Sequence, residues 1–350
     1  NETPAPEATG NEGTSKSGQA QLDYNTNAPV TLITSQKPAR LSKRFRLNAS
    51  GEMVKEPGGN LVRGHCERLD MEGPEALTFT LGMMDPNEAL CFGLPRIEAG
   101  SIASRKEAQE GDITRTGENF DWNAGPGWLL LDYDPAPGAE PIEGETLAAI
   151  LGEVCPKMPE APAVTGSSGS TFIYNSETGD QLKGAGGLRR YVMVADARDI
   201  PRAGEALVQR LWLAGYGRYE VSKSGAGLER CPVDAAVWQP ERLDFAAGAA
   251  CVEPLEQRRP PFDVHNVNAT PLETTAALPD LTAAERETLK DIKAQAREEV
   301  REESEAVQQE WVAERIEQWE QANPQASEEE TNAARERLVK AVQNKQLFGD

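Results

Sequence analysis

The stretch Trp128-Leu129-Leu130-Leu131-Asp132-Tyr133-Asp134-Pro135 decides how this chain is read. A short apolar run bounded by Gly127 and Pro135 has the length and composition of a strand buried on both faces. Side chains alternate along a strand, so Asp132 and Asp134 leave it on the same face. Two carboxylates side by side at the exit of a buried strand repel each other. A divalent cation relieves that repulsion, and an oxygen pair of this kind suits Mg²⁺ or Mn²⁺ carrying a phosphate substrate. The competing reading is an acidic turn before proline that does no more than end the strand.

The rest of the composition sets the bounds. The chain has 350 residues, 38% of them hydrophobic, enough for two domains or one large domain with appendages. It opens without Met, as an excised piece of a longer protein would. No apolar run is long enough to cross a bilayer and no export signal precedes the first domain, so no membrane partner is expected. Cys66, Cys91, Cys155, Cys231 and Cys251 are scattered, with only His65 and His265 to join them. A zinc site is not expected, and a reduced, cytoplasmic setting is. The net charge of −21 argues against tight binding of free DNA. Its distribution weakens that argument. Residues 151–250 hold eleven Lys and Arg against twelve Asp and Glu, and residues 29–48 carry Lys37, Arg40, Lys43, Arg44 and Arg46 with no acid among them. An acidic chain can still present a local basic groove.

Patterning divides the chain into a disordered leader over 1–28, a globular domain over 29–253, a Pro- and Thr-containing linker over 254–279 and a charged helical extension over 280–350. Strands are expected at 30–35, 41–47, 60–69, 172–174, 190–194, 219–222 and 229–237. Helices are expected at 74–84, 85–91, 145–154 and 201–214, and 97–127 reads as polar turns. This mixture predicts an α+β fold. In the extension, Thr282 with Glu285 and Ser327 with Glu330 form capping-box patterns. Leu289, Ile292, Ala296, Val300, Val307, Trp311 and Ile316 trace an apolar stripe. A solvated helical connector is the expectation there, with a coupling or oligomerisation arm as the alternative.

Three further segments bear on the aspartate pair. Thr165-Gly-Ser-Ser-Gly-Ser170 is a small-residue loop whose backbone N–H groups can close on a phosphate, with Ser168 and Ser170 as added donors. Arg189 and Arg190 begin a strand and point to opposite faces, so one can face the metal while the other is solvated; a triphosphate needs such a cation. The run Arg230 to Trp238 reads as a strand carrying Asp234 among apolar neighbours, a carboxylate expensive to bury unless paired or bound to metal.

Together these segments resemble the archaeo-eukaryotic primase superfamily, in particular the primase-polymerase modules of phages, plasmids and integrative elements. The D-x-D pattern falls on Asp132 and Asp134, and the later hydrophobic-Asp pattern on Val233-Asp234. Ile113-Thr-Arg-Thr116 with Phe120 and Trp122, the stretch Ser167 to Tyr174, Gly186-Gly-Leu-Arg189, Ser222-Lys-Ser-Gly225, Glu229-Arg230 and Pro240-Glu-Arg-Leu-Asp-Phe245 also look like that group. The likeness covers about residues 30–265.

The resemblance implies a core with a sheet like that of the RNA-recognition motif. It implies catalytic metal ligands at Asp132, Asp134 and Asp234, holding Mg²⁺ or Mn²⁺. It implies nucleotide contacts at Ser168, Ser170, Arg189 and Lys223, and template contacts at Arg115, Lys43 and Arg44. The implied activity is DNA primase or DNA-dependent polymerase, a nucleotidyltransferase that makes or extends primers on single-stranded DNA from NTP or dNTP by two-metal phosphoryl transfer, beside a fused or associated helicase. One departure is plain: the superfamily places Ser-x-His in its second motif, and the matching Ser170-Thr-Phe172 has no His. Arg189 is then the expected phosphate contact. Two alternatives stand beside this reading: a catalytically degenerate primase-fold module that binds DNA or replication partners, and a D-x-D glycosyltransferase.

Overall fold

The structure is a computed structural model describing residues 26–348. The expected leader falls almost entirely outside the described residues. Its last positions are part of the fold: Ala28 is fully buried, and its carbonyl accepts the Trp128 indole N–H at 2.9 Å.

Two sheets organise the α+β domain. In the first, Val30–Lys37 lies between Glu88–Cys91 and Arg63–Leu69, with Ala99–Ala103 and Ile113–Thr114 beyond. Its core joins Ile33, Cys66, Ile102 and Phe120. The segment expected as a helix at 85–91 is instead a turn leading into a strand. Ala89, Leu90 and Cys91 are all fully buried while pairing with Thr31, Leu32 and Ile33. Three successive buried residues leave no polar stripe for a surface helix, and pairing satisfies their backbone groups. The polar region 97–127 also contributes short strands, because Ala99–Ala103 finds the free edge of Arg63–Leu69.

The second sheet runs in the order Gly127–Tyr133, Leu188–Val194, Ala163–Ser167, Asp263–His265, antiparallel throughout. Trp128 to Leu131 and Tyr191 to Val194 are buried in the largest core cluster, as the unbroken apolar runs predict. Helix Gly144–Val154 brings Leu147 and Leu151 to that core, and helix Ile200–Leu213 brings Leu207 and Leu211. Both pairs are spaced i, i+4, so each helix presents one apolar face.

Residues 254–279 are not a linker. Leu255–Gln257 and Asp263–His265 are strands, the latter completing the second sheet, and Leu272 exchanges backbone hydrogen bonds of 2.9 and 3.0 Å with Met193 and Ala195. Pro-rich spacing in sequence conceals strands this short, because each is recognisable only by the edge it joins.

The extension begins as expected and then departs. The Thr282–Glu285 capping box forms, with Glu285 N–H to Thr282 Oγ1 at 3.2 Å and Thr282 N–H to Glu285 Oε2 at 2.7 Å. The apolar stripe breaks at Val300 into helices Ala283–Glu299 and Arg301–Ala322, followed by Glu328–Phe348. The first of these is docked rather than solvated: Leu281, Leu289, Ile292 and Ala296 pack with Trp212 and Tyr219. Leu289→Ala is therefore expected to cost about 2–4 kcal/mol of domain stability. A urea midpoint unchanged from wild type would contradict that docking.

No described helix is long and apolar enough to cross a membrane.

Candidate active site

Antiparallel register sets the site. Asp132 stands directly opposite Arg189, and Gly166 pairs with Arg189 from the other side. Cross-strand partners share a face, so Arg189 projects beside the aspartates. Arg190 projects the other way, as alternation requires, but it is buried rather than solvated, and its Nη1 donates to Thr165 Oγ1 at 2.9 Å.

Arg189 is held by a residue that sequence reasoning missed. Its Nε lies 2.9 Å from Asp244 Oδ1 and 3.9 Å from Asp132 Oδ1. Asp244 is almost fully buried and accepts the Tyr191 hydroxyl at 2.7 Å. Its backbone is fixed by reciprocal hydrogen bonds to Leu90 of 2.8 and 3.0 Å. Burial opposes the charge of Arg189, and the carboxylates of Asp244 and Asp132 outweigh it, so the guanidinium pKa is raised. Nε of Arg189 thus faces a carboxylate, whereas Nη1 is buried with no hydrogen-bond acceptor. A buried cation with a donor to spare is suited to an oxyanion.

Asp132 is partly buried, and burial is the main cause that pushes its pKa up to about 6. Arg189 works against that rise, and the charges of Asp244, Asp134 and Asp234 add to it. Asp134 is exposed at the strand exit. Gly187 makes room for it: a Cβ there would come within 2.5 Å of Asp134 Oδ1 and 2.7 Å of the Tyr133 carbonyl. Gly187→Ala is accordingly expected to displace both the Asp134 carboxylate and the Tyr133 backbone, costing stability and lowering any metal-dependent turnover by about tenfold or more. Wild-type turnover in that variant would show that the position of Asp134 is unimportant.

The serine loop closes the other side. Ser168 N–H donates to the Gly187 carbonyl at 2.8 Å, and Thr171 Oγ1 donates to the Ser168 carbonyl at 2.8 Å. Gln257 Nε2 donates to the carbonyls of Thr171 at 2.7 Å and Gly169 at 3.3 Å, so the region expected as linker shapes the loop. Phe172 follows with φ of 55°, an uncommon conformation for a side chain of this size. Ser170 Oγ accepts from Lys183 Nζ at 3.5 Å, and that ammonium also lies over the Phe45 ring, 5.6 Å from its centroid. Lys43 sits at the rim. Desolvation and the nearby Lys55 lower its pKa, while Asp134 and Asp132 oppose the shift. Lys183 is lowered for the same kinds of reason, desolvation first and then Lys55 and Lys43. Lys55 and Lys183 arrive from separate strands, and no local motif marks either.

Asp132, Asp134, Ser168, Ser170, Arg189 and Lys43 thus line one cleft of about 240 Å³. The other expected residues fall elsewhere. Asp234 is not on a strand, because pairing stops at Arg230, and Pro232 supplies no N–H to continue it. Its side chain caps the short 3₁₀ turn Ala235–Val237, accepting Ala236 N–H at 2.9 Å, while its own N–H donates to the Asp132 carbonyl at 2.9 Å. The third carboxylate is therefore beside the pair but turned to a capping role. Lys223 is exposed on the hairpin between Arg218–Val221 and Gly227–Arg230, does not line the cleft, and its hairpin packs on the extension, with Ser304 Oγ donating to the Gly225 carbonyl. Arg44 pairs with Glu56 at 3.9 Å, a carboxylate also held by Arg46 at 2.7 Å. Arg115 donates to the Glu241 carbonyl at 2.9 Å and lines a larger cavity of about 320 Å³ with Arg105 and Thr116. That cavity has basic groups but neither the carboxylate pair nor the serine loop, so the donor set suited to a metal-bound phosphate lies in the smaller cleft.

Among the described residues, no group of three His, Cys, Asp or Glu side chains is placed to cage a metal ion. The donor set still fits Mg²⁺ or Mn²⁺ arriving with a nucleotide, since such ions commonly use one or two carboxylates and complete their shell with phosphate oxygens and water. No family model, curated protein or solved structure matches the chain.

Proposed function

We propose that this chain is a DNA primase or DNA-dependent polymerase that makes or extends primers on single-stranded DNA, as part of a larger primase–helicase replication protein. The observation that carries the reading is the convergence on one cleft of the Asp132–Asp134 pair, the serine loop and the buried cation of Arg189. On this reading the four-stranded antiparallel sheet is the core sheet of the primase fold.

Asp132 and Asp134 would hold Mg²⁺ or Mn²⁺, which would supply Lewis-acid activation of a 3′-hydroxyl and charge neutralisation for a leaving pyrophosphate. The guanidinium of Arg189 donates to a phosphate oxygen, taking the part that a second-motif His plays in the superfamily. Ser168 and Ser170 orient the phosphate chain, and Lys183 and Lys43 balance its charge from the rim. In the transfer, the 3′-hydroxyl gives its proton to solvent and its oxygen bonds to the α-phosphorus, while the bond from that phosphorus to the bridging oxygen breaks and pyrophosphate leaves. Arg115 and Arg105 offer phosphate contacts to the template in the neighbouring cavity, setting register without reading sequence.

The capping role of Asp234 favours one second reading, a primase-fold module that binds nucleic acid without catalysis. Calorimetric titration separates the two. The polymerase reading expects a dNTP to bind only with Mg²⁺ or Mn²⁺ present, and each to tighten the other reciprocally. DNA binding with no metal-dependent nucleotide affinity supports the module instead.

The pH dependence follows from Asp132. Its proton must leave before a cation binds, so affinity for Mn²⁺ with nucleotide is expected to be flat above pH 7 and to fall as pH drops through about 6. Affinity unchanged down to pH 5 would remove Asp132 from the ligand set.

A further inference from the structure

Phe245 is a large apolar side chain left 37% exposed, and among the described residues it is the one aromatic residue lining the cleft that holds Asp132, Asp134 and Arg189. Its neighbour Asp244 is instead locked inward on Tyr191 and Arg189. The backbone on either side is tied down: Asp244 is bridged to Leu90, and the Ala246 carbonyl accepts Arg259 Nη1 at 2.9 Å. The segment also touches the serine loop, since a Cβ on Gly169 would meet the Ala247 carbonyl at 2.5 Å and the Phe245 carbonyl at 3.2 Å. An exposed aromatic residue on a tethered backbone therefore lines the same small cleft as the groups suited to a phosphate chain. Leu41 and Ala247, the other apolar lining residues, are buried and offer no such face.

We infer that Phe245 is the platform on which the base of the incoming nucleotide stacks. This inference rests on the nucleotidyl-transfer reading of the cleft and adds the residue that recognises the nucleoside end. Every base has a π-face, so the contact tolerates all four bases and favours purines by their larger area.

The test compares ATP, CTP, an abasic ribose triphosphate and inorganic tripolyphosphate, each titrated with Mn²⁺ into wild type, Phe245→Ala and Phe245→Trp. The expected result is a loss of about tenfold or more in ATP affinity for Phe245→Ala. CTP should lose less, the abasic triphosphate and tripolyphosphate should be unchanged, and Phe245→Trp should restore ATP binding. ATP affinity equal in all three proteins overturns the stacking role while leaving the transfer reading intact. An equal loss for ATP and tripolyphosphate overturns it too, because the ring would then be shaping the phosphate site. Failure of wild type to bind any of the four overturns both.

Discussion

Alanine at both Asp132 and Asp134 is expected to abolish nucleotide incorporation, by at least about a thousandfold, without unfolding the chain. Charge stabilisation by a bound cation contributes several kcal/mol to a transition state, and each 1.4 kcal/mol is about a factor of ten in rate. The fold survives because neither carboxylate holds it together. Asp134 is exposed, and Asp132 is a group whose charge the folded state resists.

The linkage sign makes that resistance measurable. With its pKa raised from 3.8 to about 6, Asp132 binds a proton in the folded state between those values while the unfolded chain does not. Its contribution to stability therefore falls as pH rises from about 4 to 6 and remains a penalty above. Asp132→Asn should stabilise the metal-free protein at pH 7 by on the order of 1–2 kcal/mol, read as a higher melting temperature, and should have little effect at pH 4. A variant both inactive and less stable at pH 7 would show that Asp132 is a structural ion-pair partner of Arg189 and not a poised ligand.

The second large effect is expected at Asp244. Removing one member of a buried ion pair leaves the other charge uncompensated, which costs about 3–5 kcal/mol. In Asp244→Ala the guanidinium of Arg189 keeps only Asp132 at 3.9 Å, and the Tyr191 hydroxyl loses its acceptor. Asp244→Asn keeps an acceptor for Tyr191 and should recover part of that loss. Tyr191→Phe alone should cost about 1 kcal/mol. Chemical denaturation of the three variants checks the order. Equal stability of Asp244→Ala and wild type would mean that Arg189 is neutralised by another group.

The contrast between these aspartates shows what local sequence can carry. Asp132 and Asp134 were legible because their meaning is local: an apolar run ends, alternation puts both on one face, and nothing remote is needed. The serine loop and Arg189 were legible for the same reason, as turn chemistry and as the start of a strand. Asp244 was not, because its role depends on Tyr191 and Arg189, more than fifty positions away, and its own neighbours form no regular element. Lys55 and Lys183 approach Lys43 only through pairing of short strands.

Asp234 shows the opposite failure. Apolar neighbours suggested a strand, yet Pro232 and the chance to cap a 3₁₀ turn gave its carboxylate a local partner. The same physics turned the expected linker into strands: Asp263–His265 has no pattern of its own, but the edge of Ala163–Ser167 was open to it.

The most direct test of the central claim is synthesis on single-stranded DNA with Mg²⁺ or Mn²⁺ and labelled nucleotides, with and without an annealed primer, for wild type beside the Asp132→Ala/Asp134→Ala double variant. Metal-dependent product from wild type alone is the expected result, and product without primer would assign priming as well as extension. No product under either metal from folded wild-type protein that still binds DNA would contradict the account and leave a nucleic-acid-binding module in its place.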